Sequence, residues 1–258
     1  MENRIVQLFK KKNRNVLSIY FTAGFPALND TVQLLQLLQA AGVDMIEIGM
    51  PFSDPLADGP VIQHSSEEAL KNGMTLKVLF EQLKDIRKTI NIPLILMGYL
   101  NPVMQFGVDN FCKVAAEIGI DGVILPDLPM QEYLNEYKSV FEKNNLLNIF
   151  LITPQTTEKR IRFIDEHSNG FVYMVSSSST TGNSSRVDAG KEAYFLRIKN
   201  MKLKNPTMIG FGISDKKSFI NACEYANGAI IGSAFINALQ EKGELKVRVN
   251  SFINKLLS

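Results

Sequence analysis

Short β-rich apolar runs, each followed by an amphipathic helical pattern, recur along the chain, and they predict strands beginning near Leu17, Met45, Leu94, Val123, Ile149, Phe171, Met208 and Ala229. This repetition constrains the fold more than any other feature. Strands that alternate with helices must run parallel, because each helix carries the chain back to the starting edge of the sheet. About eight such units in 258 residues match the size and order of a (β/α)8 TIM barrel, α/β in class. No Pro/Gly/Ser-rich linker interrupts the series, so residues 1–258 are expected to form one domain, with a short N-terminal helix ahead of the first strand. The rival fold is a doubly wound dinucleotide-binding sheet, which requires Gly-x-Gly-x-x-Gly after its first strand. Gly210-Phe211-Gly212 comes nearest, but Asp215 stands in the third position and the motif follows a late strand.

Two of the strand separations are long, from Met45 to Leu94 and from Phe171 to Met208. Extra residues in a barrel usually enter the loops after strands, where active sites are built. The second excess begins Ser176-Ser-Ser-Ser-Thr-Thr-Gly-Asn-Ser-Ser185, small and polar throughout, and reads as a mobile lid.

The first excess opens on the most informative segment, Asp44-Met-Ile-Glu-Ile-Gly-Met-Pro-Phe-Ser-Asp-Pro-Leu-Ala-Asp-Gly-Pro60. Alternation along a strand puts Met45, Glu47 and Gly49 on one face and Ile46 and Ile48 on the other. A carboxylate inside a parallel strand must be paired, protonated or used, because both faces of such a strand are apolar. From strand position alone, a Glu47 salt bridge to a neighbouring strand is as good a reading as a catalytic one. Its place near the C-terminal end of a barrel strand favours catalysis. Desolvation there raises the pKa toward neutrality, so that Glu47 can both give and take a proton. Asp54 and Asp58 follow in a Pro-rich turn, where an Asp is often no more than a turn former.

A second group is glycine-rich: Gly182, Gly210 to Ser214, and Gly232-Ser233. Backbone N–H groups in the loops after the last two barrel strands form the usual phosphate site of this architecture. His64 and His167 fall in different segments and cannot form a metal cluster by themselves. No lysine sits at a strand end for a Schiff base.

The formal net charge of +2 is too small for a nucleic-acid-tracking surface. The one basic cluster, Lys10 to Arg14, reads as cations at a helix C-terminus. Cys112 and Cys223 sit within apolar helical patterns and read as buried free thiols. The opening residues carry no apolar signal core, and the longest apolar stretch, near Ala229 to Leu239, is broken by Gly232, Ser233 and Asn237. A cytoplasmic protein that touches neither membrane nor nucleic acid is expected.

The chain also resembles the tryptophan synthase alpha subunit family over nearly its whole length. The resemblance runs through Phe21-Thr-Ala-Gly-Phe-Pro26, Glu47 to Gln63, Leu125-Pro-Asp-Leu-Pro129, Gly210-Phe-Gly-Ile-Ser214 and Gly232-Ser233, and the second segment is highly specific. It implies a lyase that cleaves indole-3-glycerol phosphate by retro-aldol chemistry to indole and glyceraldehyde 3-phosphate. It further implies Glu47 in proton transfer, Asp58 against the indole N–H, Tyr20, Ile62 and Tyr173 around the indole, and Gly182, Gly212, Gly232 and Ser233 at the phosphate. No cofactor is implied on this chain. Pyridoxal phosphate is expected on a partner beta subunit in an alpha2beta2 assembly, with Pro51, Phe52, Asp54 and Pro55 at the contact. Where many members carry Ser-Arg-x-Gly-x-Thr-Gly in the lid, this chain has Ser176-Ser-Ser-Ser-Thr-Thr-Gly182, without the arginine and the first glycine. Alternatives are a stand-alone indole-releasing lyase and a non-catalytic barrel that activates a partner. Other phosphate-binding barrels lack the Pro51 to Pro60 turn.

Overall fold

A computed structural model of the chain describes residues 2–176 and 184–258. Its strands, in chain order, are β1 Val16–Thr22, β2 Met45–Gly49, β3 Leu94–Met97, β4 Gly122–Ile124, β5 Leu147–Asn148, β6 Leu151–Ile152, β7 Val172–Val175, β8 Thr207–Gly210 and β9 Gly228–Ile231. Every ladder is parallel, in the order β5-β4-β3-β2-β1-β9-β8-β7-β6. β5 and β6 are two halves of one strand that changes partner in the middle. Ile149 N donates to Val123 O at 2.9 Å, while Tyr173 N donates to Phe150 O at 3.0 Å. The sheet therefore closes on itself and the TIM barrel of eight strand positions is complete, which excludes the doubly wound alternative. The expected strand starts lie within two residues of the observed ones.

The strands form where the apolar runs predict. β1, β2 and β3 are buried at every residue, as parallel strands covered on both faces must be. Helix Arg4–Lys11 closes the end of the barrel where the strands begin. The Asn3 side chain caps it by accepting from Ile5 N, and Lys10 and Lys11 occupy its last turn, beside the negative end of the dipole. Ile5 is fully buried, and a Cβ built on Gly122 or Gly170 would stand 2.9 Å and 3.3 Å from its side chain. At the same end Asp121 is ion-paired with Arg4 at 3.0 Å and Arg87 at 2.5 Å and accepts from Leu94 N at 2.9 Å. Chemistry is left to the opposite end, where the strands finish.

The first long separation holds the acid-bearing turn and helices Pro60–Lys71 and Leu76–Leu83; the second holds helix Ser184–Met201. Of the expected lid, residues 177–183 lie outside the described residues, and Ser184 and Ser185 already belong to that helix. The boundary differs because serine is favoured where a helix starts, so a serine run does not mark where a loop stops. Cys112 and Cys223 are buried free thiols, and burial raises the pKa of each. Among the described residues no helix is long and apolar enough to cross a membrane.

Candidate active site

The site begins with Glu47, which lies on β2 opposite Tyr20 of β1 and has no solvent-exposed surface. Ser18 lies two residues before Tyr20 and so on the same inward face. Its hydroxyl donates to Glu47 Oε1 at 3.0 Å, while Oε2 has no hydrogen-bond partner among the described residues. One hydroxyl does not replace the lost hydration of a carboxylate. Burial raises the Glu47 pKa to about 8, with the Ser18 hydrogen bond pulling the other way. The salt bridge considered for Glu47 is not found among the described residues, and the carboxyl is mostly protonated at neutral pH.

Asp58 arrives from the turn after β2. Tyr99 Oη donates to Asp58 Oδ2 at 3.1 Å and accepts from Ala57 N at 3.0 Å, so one phenol holds both the carboxylate and its backbone. Gln63, in helix Pro60–Lys71, donates to Asp58 O at 2.9 Å. Partial burial lifts the Asp58 pKa to about 6, against the opposing effect of the Tyr99 hydrogen bond. The two carboxyl groups are thus pushed apart in acidity, with Asp58 ionised and Glu47 protonated near pH 7. That separation suits one acid for donating a proton and the other for meeting positive charge.

Both acids line a single cavity of about 310 Å³ at the C-terminal end of the barrel, together with Tyr20, Ile62, Tyr173, Gly212, Gly232 and Ser233. Every candidate catalytic and substrate residue from the sequence is therefore in one place, except Gly182, which lies outside the described residues. The tyrosines reach it through neighbouring glycines. A Cβ on Gly49 would stand 2.1 Å from Tyr20 Oη, and one on Gly210 would stand 2.0 Å from Tyr173 Oη, so both strand ends must be glycine for the phenols to lie there. At the other end of the cavity Gly212 turns with φ +75°, a conformation glycine adopts without strain. Ser233 opens helix Ser233–Leu239, whose first-turn N–H groups have no acceptor within the helix. These donors suit a phosphate, and the aromatic floor suits an indole.

Asp54 is exposed and receives the Ser53 hydroxyl at 2.5 Å. It is a turn residue outside the cavity. Phe52 packs on the Tyr99 ring at a centroid distance of 5.3 Å, and Pro51 and Pro55 are half-buried beside it. The large apolar side chain of Leu56 on this turn is 93% exposed. Sequence reasoning missed Ser18, Tyr99 and the lining residue Phe211, whose ring meets Tyr173 edge-on at 6.2 Å. Alternation along β1 could have marked Ser18, but no local pattern announces a contact between Tyr99 and a different loop.

A family model described as tryptophan synthase alpha chain matches residues 6–256. The chain belongs to the tryptophan synthase alpha chain family. It is 60% identical to the tryptophan synthase alpha chain of Flavobacterium johnsoniae over 246 residues, which covers 95% of this chain and 97% of that one. The alpha chain of Phocaeicola vulgatus is 59% identical over 93% of each. Among solved structures, tryptophan synthase subunit alpha from Legionella pneumophila superposes with a TM-score of 0.89 at 36% identity, over 99% of this chain and 97% of that one. An aminoacrylate-bound tryptophan synthase from M. tuberculosis gives 0.86 at 30% identity over 98% of each. The chain is accordingly a lyase of tryptophan biosynthesis, of the family that cleaves indole-3-glycerol phosphate, and membership implies a beta subunit as partner.

Proposed function

We propose that Glu47 and Asp58 divide the retro-aldol cleavage of indole-3-glycerol phosphate between them. Breaking the bond from indole C3 to the glycerol carbon requires one proton added at C3 and one removed from the hydroxyl on that carbon, which becomes the aldehyde. Protonated Glu47 delivers the first, and its carboxylate is then able to accept the second, so the proton count is unchanged over the cycle. Ionised Asp58 accepts from the indole N–H and stabilises the positive ring formed by protonation. Tyr20, Ile62 and Tyr173 hold the indole; Gly212, Gly232 and Ser233, with Gly182, hold the phosphate. The observation that carries this reading is the pair of carboxyls in one cavity with pKa values raised to about 8 and about 6.

In the same reading residues 1–258 act as one cytoplasmic domain in an alpha2beta2 assembly, and this chain holds no cofactor of its own. Pro51, Phe52, Asp54 and Pro55 face the partner, with exposed Leu56 among them. The test is indole release by Glu47→Gln and Asp58→Asn. The first keeps shape but loses the titrating group and should slow cleavage at least about a hundredfold, the usual size of a general acid–base contribution. The second should reduce kcat more than it raises KM. Near-normal turnover in Glu47→Gln would rule out the proton-transfer role.

A further inference from the structure

The cavity that takes the phosphorylated substrate is lined by two carboxyl groups and, among the described residues, by no lysine or arginine. A phosphate carries close to two negative charges at neutral pH. Backbone N–H groups orient such an ion but carry no formal charge to offset it. A second cavity adjoins the first, shares Phe211, Gly212 and Ile213 with it, and is lined by Lys191. Lys191 lies in helix Ser184–Met201 and is half-buried. Its Nζ stands 4.0 Å from where a Gly212 Cβ would be, beside the Ser176 hydroxyl at 3.8 Å.

Among the described residues, the surroundings leave this ammonium available. Ser176 Oγ is committed to the Phe211 carbonyl, which pins the turn. Of the nearby carboxylates, Glu192 accepts from Tyr225 Oη at 2.9 Å, and Asp215 accepts from Ser218 N at 2.7 Å and caps its own helix. Among the described residues no carboxylate forms an ion pair with Lys191. A four-carbon stem allows the ammonium to follow a phosphate seated on the Gly212 turn, as a mobile point charge rather than a rigid fork.

We propose that Lys191 is a substrate-binding residue, the cation that neutralises the phosphate held over the Gly212 turn. The inference rests on the phosphate end of the cavity assigned above. Lys191 adds nothing to the reacting atoms and acts on affinity for the phosphorylated end of the substrate. A glycerol-phosphate group is its ligand, and the indole half is read elsewhere.

The test compares the full chain with Lys191→Met, which keeps the length and loses the charge, and Lys191→Arg, which restores a charge. Calorimetric binding of glycerol 3-phosphate is measured first, then steady-state cleavage of indole-3-glycerol phosphate and of its dephosphorylated counterpart. In Lys191→Met the Kd for glycerol 3-phosphate and the KM for the phosphorylated substrate should each rise about tenfold, equivalent to about 1.4 kcal/mol. Turnover and the KM for the dephosphorylated substrate should move less than about twofold, and Lys191→Arg should recover most of the affinity. Unchanged Kd and KM in Lys191→Met would overturn the proposal. So would equal weakening on both substrates, which would make Lys191 a support of the helix. If the unaltered chain releases no indole, the catalytic reading fails, while glycerol 3-phosphate binding still decides the role of Lys191.

Discussion

Removing the Tyr99 hydroxyl tests how the site keeps Asp58 ionised. In Tyr99→Phe the ring remains against Phe52, but Asp58 Oδ2 loses a donor at 3.1 Å. Exposed Ala57 loses an acceptor that water can replace. The phenol lowers the Asp58 pKa against the effect of burial, so its loss must raise that pKa further from about 6. A hydrogen bond to a charged group contributes about 1.5–3 kcal/mol, and one pKa unit corresponds to about 1.36 kcal/mol. Allowing for partial replacement by water, the shift should be about one unit. If the reactive form carries ionised Asp58, its fraction at pH 7 falls from about nine-tenths to about half. At pH 6 it falls from about half to about one-tenth. Cleavage should therefore drop about twofold at pH 7 but about fivefold at pH 6. The alkaline limb, set by Glu47 ionising near pH 8, should stay in place. The assay is kcat/KM for indole release from pH 5 to 9, which reports the free enzyme. A uniform loss at every pH, or an acidic limb that does not move, would refute the argument that Tyr99 acts through the charge of Asp58.

Two further outcomes follow from the geometry. Gly232 has φ −117°, and a Cβ there would meet Tyr20 no closer than 3.4 Å, so Gly232→Asp should fold. Its carboxylate would face the substrate phosphate and raise KM at least about tenfold, while cleavage of the dephosphorylated substrate suffers less; equal losses in steady-state assays would place the phosphate elsewhere. Titrating purified beta subunit into the chain should raise indole release and form a sedimenting complex. Leu56→Asp should weaken that complex without slowing the isolated chain, and unchanged sedimentation would remove this turn from the interface.

The barrel was legible because its short, β-rich apolar runs alternate about eight times with amphipathic helical patterns; one such run alone could equally be a buried helix segment, but the repeated order is that of parallel strands. Glu47 was legible for the converse reason, as a carboxylate in such a run. Asp54 and Asp58 were not separable by residue type, since both suit the same Pro-rich turn; the family resemblance singled out Asp58, and the placement of Tyr99, on another loop, gives the physical reason. The split of the fifth strand left no mark either, because a change of hydrogen-bonding partner between Ile149 and Phe150 alters no side-chain pattern. The contact of Phe52 with Tyr99, and the 93% exposure of Leu56 on the same turn, left no mark in the sequence either, because both residues are simply apolar side chains between prolines. Lys191 was overlooked because a cation on a helix looks like an ordinary solvated side chain until the fold brings it to Gly212.

The glycines under the two phenols give the cavity floor an adjustable height. Tyr20 and Tyr173 rest their hydroxyl ends where Gly49 and Gly210 have no side chain. A methyl group added at either position would occupy the phenol's seat and drive that ring upward into the space meant for the substrate. The size of ring system this barrel admits is therefore governed in part from behind the lining, by two residues that are absent from the cavity wall. Such positions could retune what fits while every group that touches the reacting atoms stays the same.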